Sequence, residues 1–403
     1  MKATFTLAAL ALAVTSAHLS AAEKQYTASE RAERIAKQSI LIDTHIDVPY
    51  RIADKWDDVS KATEGGDFDY PRAKKGGLNV PFMSIYIPAS LEFEGKGKSY
   101  QLANQLIDGM EALVFRAPDK FAIAYSYKDA YTHFKLGKMS IAMGMENGSP
   151  MEGDMKNLKH FYDRGVRYIT LAHSQSNHIS DSSYDLRRKW KGLSPFGKEL
   201  IKEMNNIGML IDVSHISDAA FYQVMELSKV PVIASHSSLR KYTPGFERNM
   251  DDDMLLALKK NGGVIQINFG SSFVTSASRG WYDKRNAAKK EAEDSGKATT
   301  DFAAAYRAKN PFPFATLEQV LDHIDHVVKL IGIDYVGIGS DYDGVGDSLP
   351  IGLKDVSTYP NLVQGLLDRG YNEVQIKKIL GGNTMRVWRQ AEEYAEKIST
   401  KGK

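Results

Sequence analysis

Short apolar runs of strand length alternate with stretches of helical spacing along most of the chain, and this alternation limits the folds open to it. Strands are expected at 39–43, 80–87, 140–145, 167–171, 209–213, 230–234, 264–269 and 335–339. Helical patterns lie near 100–115, 155–164, 195–207, 218–227, 251–261 and 317–331, and an amphipathic helix at 28–38 leads in. Pro195 behind Ser194 suits a capped first turn, and Asn261-Gly262-Gly263 suits a helix stop. Eight such units without a break in composition predict a single (β/α)8 barrel of the TIM type. The competing arrangement is a doubly wound open sheet. Against it, no glycine-rich phosphate loop follows the first strand, and the glycines of 144–148 frame a glutamate instead.

The reactive side chains also sit at many strand ends, whereas an open sheet would gather them at one switch point. The first strand leads into His45 and Asp47, two apart, so an extended chain turns both to one side. The third closes on Glu146 between glycines. The stretches Met209–His215 (MLIDVSH) and Val230–His236 (VPVIASH) each end a buried run in Ser-His. His45, Asp47, Glu146, His215 and His236 therefore meet at one barrel mouth. Five nitrogen and oxygen ligands exceed the three that one catalytic zinc takes, and suit two ions sharing a carboxylate. One ion is assigned His45, Asp47 and Glu146, the other Glu146, His215 and His236. Such a pair holds a hydroxide with its pKa lowered to about 7. Zinc is favoured by the mixed imidazole and carboxylate set, with manganese or cobalt as substitutes.

Three further residues belong with these. His173 ends the strand of YITLAH and could donate a hydrogen bond to an oxyanion. In GIGSDYDG, Asp341 is the preferred proton shuttle to a leaving amine, and Asp343 is read as a turn residue. Arg248 could pair with a substrate carboxylate, with Asn249 beside it as a further substrate-binding candidate.

Two stretches depart from the pattern. Residues 51–77 are charged and read as an irregular loop at the mouth. Residues 271–313 form an insertion before the last barrel strand with a charged helical middle at 283–308, read as a solvated surface helix in preference to a lid or oligomer contact. From residue 359 terminal helices follow, including 372–380 and 383–398.

Residues 1–22 have the pattern of a signal peptide: Lys2, an apolar run at 5–14, and Ser20-Ala21-Ala22 as the cleavage site, with Ala17 as the alternative. The remainder, 23–403, is read as the barrel domain. The sequence contains no cysteine, which excludes disulfides, thiolate ligands and a cysteine nucleophile. An exported, disulfide-free enzyme is placed in a bacterial periplasm, with secretion as the alternative. A formal net charge of +2 gives no reason to expect a nucleic-acid or membrane-surface partner.

Together these motifs resemble the membrane dipeptidase (renal-dipeptidase-like) family of the metal-dependent amidohydrolases. The matching stretches include Ile42-Asp43-Thr44-His45-Ile46-Asp47, Met145-Glu146-Asn147-Gly148, Ile211-Asp212-Val213-Ser214-His215, Ser235-His236-Ser237-Ser238, Arg248-Asn249 and Gly339-Ser340-Asp341-Tyr342-Asp343-Gly344, in the family's order. The resemblance implies a binuclear zinc barrel that hydrolyses dipeptides, often with a C-terminal D-residue. It implies the same five ligands, and substrate or proton-transfer roles for His173, Arg248 and Asp341. Family enzymes are often dimers, which makes a homodimer one expected assembly. No hydrophobic C-terminal tail is seen, so no lipid anchor is expected after signal cleavage. The chain departs from the family at Gln175-Ser176-Asn177-His178-Ile179, where an Asn-Thr-Pro-Trp-like stretch is common. It departs again at Gly245-Phe246-Glu247, where a His-Pro pair is usual. Both segments bear on side-chain specificity. The rivals are a same-fold hydrolase of N-acyl amino acids or lactones, a periplasmic metal- or peptide-binding protein without turnover, and a purely structural metal site.

Overall fold

Parallel strands need crossover connections, and the helical stretches supply them. The structure, a computed structural model, describes residues 26–297 and 299–401. The signal-peptide assignment at 1–22 lies outside the described residues. The strands are β1 (Ile42–Ile46), β2 (Val80–Tyr86), β3 (Phe121–Ile123), β4 (Met139–Glu146), β5 (Val166–Thr170), β6 (Leu210–Asp212), β7 (Ile233–Ser237), β8 (Val264–Ile267) and β9 (Val336–Ile338). Eight run in the order β1-β2-β4-β5-β6-β7-β8-β9, every neighbouring pair parallel, and β3 adds to β4 outside the ring. The ring draws together at the mouth, where Asp47 N donates to Tyr342 O (2.9 Å) and Asp341 N to His45 O (3.1 Å). This is the (β/α)8 barrel expected.

Alternation within each strand sorts the residues. On β4, Met143 and Met145 join the large cluster under the helices, while Ala142, Gly144 and Glu146 share the other face. The interior is apolar at the base, where Val80, Phe82, Ala142, Leu210 and Val264 pack around Tyr168. Trp388 of the helix Asn383–Lys401 closes that end, its ring 5.2 Å from Phe82. Burying a ring such as Phe82 contributes about 1.5–3 kcal/mol. Towards the mouth the interior turns polar: Thr44, Ser84, Glu146, Thr170, Asp212 and Ser235 are all buried. Gly144 is required by this packing, because a Cβ there would lie 1.9 Å from the Tyr168 ring.

The first and sixth barrel strands begin three residues later than expected, so His45 and His236 lie inside β1 and β7. Polar residues were read as strand ends, but here they are interior positions with partners. Asp43 accepts from His45 N (3.0 Å), Ser340 N (3.0 Å) and Tyr359 Oη (2.5 Å).

The stretch 51–77 is also less irregular than expected. It contains most of the helix Val48–Asp54 and all of Tyr70–Gly76, the latter capped by Asp69 and stopped by Gly77 in the left-handed conformation. The insertion carries helices Ser271–Val274, Ser276–Asp294 and Phe302–Lys309, with Trp281 packed 5.1 Å from Phe312. Among the described residues no helix is long and apolar enough to cross a membrane.

Candidate active site and metal centre

The strand ends open into a cavity of about 750 Å³ lined by Asp47, Glu146, His173, His215, His236 and Asp341 among others. His45 lies beneath them, fully buried. Glu146, the last residue of β4, turns its two oxygens to different partners. Oε2 stands 3.5 Å from His45 Nε2, which is also 3.5 Å from Asp47 Oδ2. Oε1 stands 3.1 Å from His215 Nε2, 3.3 Å from His236 Nε2 and 3.5 Å from His173 Nε2. The two ring nitrogens of His215 and His236 are 2.8 Å apart, and the His45 and His236 rings stack at 3.7 Å.

The residues around these side chains fix which ring nitrogen faces the cavity. Tyr168 Oη donates to Thr44 O (3.0 Å), so it accepts from His45 Nδ1 (2.8 Å). Ser235 Oγ donates to Asp212 Oδ2 (2.6 Å) and takes the proton of His236 Nδ1 (2.7 Å). In both rings Nδ1 is thus engaged by the protein and Nε2 is the nitrogen turned to the cavity. His45 Nε2 is buried with no hydrogen-bond partner. Burial, with the charges of Arg248 and His173, keeps His215 well below its ordinary pKa, and burial with His45 and Arg248 does the same for His236. Burial pushes Glu146 up, but His45, His173 and the hydrogen bonds from His215 and His236 hold it well below the carboxylate range. Burial lowers His45, yet Tyr168, Glu146 and Asp47 outweigh it and raise the imidazole well above its usual value. That half of the site attracts positive charge.

The neutral imidazoles of His215 and His236, a charged carboxylate facing two ways and the orphaned buried Nε2 of His45 fit a bound metal cation. Three triplets bring their ligand atoms within 4.8 Å of one another: His45, Glu146 and His236; Glu146, His173 and His215; His45, Asp47 and Asp341. By distance alone, His236 groups with His45 as readily as with His215.

Asp341, past β9, takes a left-handed backbone (φ 65°), as does His215 (φ 69°). Such strain persists where the surroundings over-determine it, typically at functional sites. Asn268 Nδ2 donates to Asp341 Oδ2 (2.7 Å), and burial raises the Asp341 pKa to about 7, with Asp47 and Glu146 adding to the rise. Asp343 is more than a turn residue: its Oδ1 accepts from Asp67 N (2.6 Å) and its Oδ2 meets Arg51 Nε at 3.0 Å, pinning a mouth loop.

Arg248 is buried behind His236. Nη1 donates to Ser237 Oγ (2.7 Å) and Nη2 to His236 O (2.7 Å), while Nε has no partner. Asn249 is wholly buried: Oδ1 accepts from Ser238 N (3.1 Å), and Nδ2 donates to Thr243 Oγ1 (2.7 Å) and Phe273 O (2.8 Å). Those contacts engage both ends of its amide in holding loops. His178 is likewise occupied, between Glu92 Oε1 (3.0 Å) and Gly153 N (3.2 Å). Sequence reasoning did not single out Tyr168, Asp212, Ser235 or Asn268, which orient the site. A carboxylate inside the apolar run of MLIDVSH was the one available signal for Asp212.

The model of the family described as "Membrane dipeptidase (Peptidase family M19)" matches residues 29–402. An uncharacterised dipeptidase of Schizosaccharomyces pombe is 32% identical over 397 residues, covering 94% of this chain and 87% of the relative. Among solved structures, PvdM of Pseudomonas aeruginosa, described as a probable dipeptidase, has 27% identity and a TM-score of 0.78 over 91% of this chain and 98% of its own. A metallopeptidase of Rhodobacter sphaeroides, liganded with a phosphinate mimic of the dipeptide L-Ala-D-Ala, has a TM-score of 0.72 at 22% identity, over 88% and 99%. At that identity the likeness speaks for the fold alone. With a family model covering nearly the whole chain and a candidate metal-binding cluster at the barrel mouth, the chain belongs to the membrane dipeptidase family, Peptidase family M19, and is a metal-dependent dipeptidase.

Proposed function

We propose that the protein is a binuclear zinc dipeptidase that accepts dipeptides with a C-terminal D-residue. The observation that carries the two-ion reading is Glu146, whose Oε2 faces His45 and whose Oε1 faces His215 and His236. His45 and Asp47 would hold one ion, His215 and His236 the other, and Glu146 both. Imidazole and carboxylate without thiolate favour zinc. When bound, such ions polarise a carbonyl and lower the pKa of water to about 7.

The chain's own residues do the rest. Arg248 pairs through its free N–H groups with the substrate's terminal carboxylate, which sets the scissile carbonyl over the site. His173 donates from Nε2 to the oxygen that gains charge. Asp341, with Oδ2 held by Asn268, takes a proton at Oδ1 and returns it to the departing amine. The D-residue part extends to this chain what the Rhodobacter structure holds as a ligand. Export to the periplasm, read from residues 1–22, belongs to the same proposal.

The test is elemental analysis, with hydrolysis of L-Ala-D-Ala and Gly-D-Ala followed before and after chelation. About two zincs per chain and chelator-sensitive cleavage of both are expected. One ion per chain at full activity overturns the two-ion reading. Cleavage of N-acyl amino acids in place of dipeptides overturns the substrate reading.

A further inference from the structure

Beside Arg248 runs a row of aromatic rings, one following the first segment in which this sequence departs from its family's usual pattern and one inside the second. Tyr184 follows the first and Phe246 lies in the second; their rings are 5.9 Å apart, and Phe246 is 5.8 Å from Phe273. The row thus joins the loops after β5, β7 and β8. Tyr184 and Phe273 line the cavity, and Tyr282 of the insertion extends the same wall. Phe246, with 9% of its surface exposed, is the keystone between them. The Arg248 guanidinium lies 5.4 Å from the Phe273 ring, and Arg279 covers Phe246 from outside at 4.2 Å.

The row is braced at both ends. Glu247 pairs with Arg188, tying the second segment to the loop that carries Tyr184, and Glu247 Oε1 accepts from Asp218 N (3.0 Å). Asn249 holds the Phe273 carbonyl. The insertion, expected as a solvated surface helix, therefore supplies part of the cavity wall through Ser272, Phe273 and Tyr282.

We propose that Tyr184 and Phe273, fixed by Phe246, form the subsite for the side chain of the substrate's C-terminal residue and select a bulky apolar or aromatic one. The inference rests on the placing of the terminal carboxylate at Arg248. A carboxylate held there puts the adjoining side chain against these rings, where aromatic pairs and apolar burial add to binding. A cavity of about 750 Å³ is also more than a dipeptide of two small residues fills.

The experiment compares kcat/KM of the metal-loaded enzyme on L-Ala-L-Phe and L-Ala-L-Ala, and on the matching pair with a C-terminal D-residue. Wild type favours the Phe substrate of the configuration it accepts by about tenfold or more, the discrimination that burying a ring supplies. Tyr184→Ala and Phe246→Ala each bring that ratio to about threefold or less, and Phe246→Leu restores most of it. A folding defect lowers both substrates together and leaves the ratio unmoved. A wild-type ratio near one, or an unchanged ratio in both alanine variants, overturns the inference. Arg248→Ala serves to separate the two readings: unchanged KM for every dipeptide places the carboxylate elsewhere and removes the premise, whereas raised KM with an unmoved ratio in the aromatic variants removes only the subsite.

Discussion

The Tyr168 hydroxyl, rising from the middle of the barrel, stands 2.8 Å from Nδ1 of His45 and donates its own proton to the Thr44 carbonyl. A tyrosine that belongs to the apolar base thus decides which nitrogen of His45, a candidate metal ligand, faces the cavity. Outer partners of this kind typically account for 10–100-fold in metal affinity. Tyr168→Phe keeps the ring and removes the hydroxyl. Competition with a chelator is expected to find one ion bound about 10–100-fold more weakly, with little change in the thermal transition of the metal-free chain. Affinity equal to wild type would separate Tyr168 from the metal centre.

Gly144 tests the same link from the other side. A Cβ at this position meets the Tyr168 ring at 1.9 Å, in a fully buried interior. Gly144→Ala should cost about 1–3 kcal/mol, read by denaturant unfolding, and should weaken metal binding because the displaced ring carries its hydroxyl away from His45. An alanine variant as stable as wild type would mean that the ring can move aside freely.

Asp341 has its Oδ2 taken by Asn268 and sits within reach of His45 and Asp47. Replacement by asparagine preserves size but removes the acceptor for a proton. Asp341→Asn is expected to lower kcat by about 10²–10⁴-fold with metal content unchanged. Loss of one ion instead would make Asp341 a ligand and leave the proton shuttle unassigned.

The barrel was legible because its parts repeat: eight apolar runs state the architecture, and the two Ser-His endings are among the candidate ligands that it brings to one mouth. What stayed hidden is where polar side chains act inward. Asp43 and Ser235 look like strand ends in a linear reading, since polarity is taken as exposure. In the closed barrel both are buried and hydrogen-bonded. Asn249 shows the opposite error. Its neighbour Arg248 suggested a shared contact with substrate, but the side chain spans two loops and spends its amide on Thr243 and Phe273. Strand β3 escaped notice because three residues are too few to show a period of two.

His323 gives a pH dependence that is independent of the metal residues. It is fully buried on the helix Leu317–Leu330, accepts from Leu239 N at Nδ1 (3.1 Å) and donates from Nε2 to Val274 O (3.0 Å). It therefore joins the loops after β7 and β8, between which Phe246 and Phe273 meet. Burial lowers its pKa to about 4. The nearby imidazole is His326, which is hydrogen-bonded to Asp252 (2.7 Å) and to Lys241 (2.9 Å). The folded chain binds fewer protons than the unfolded chain between the unfolded value of about 6.5 and the folded value. Stability from the neutral ring is thus complete above about pH 6.5 and is lost as pH falls towards 4, a span worth about 3 kcal/mol. In metal-stripped protein, the stability of wild type relative to His323→Gln should shrink by about that much between pH 7 and pH 4, as read from denaturant midpoints. A difference that stays constant across the range would mean that His323 does not gain its proton on unfolding.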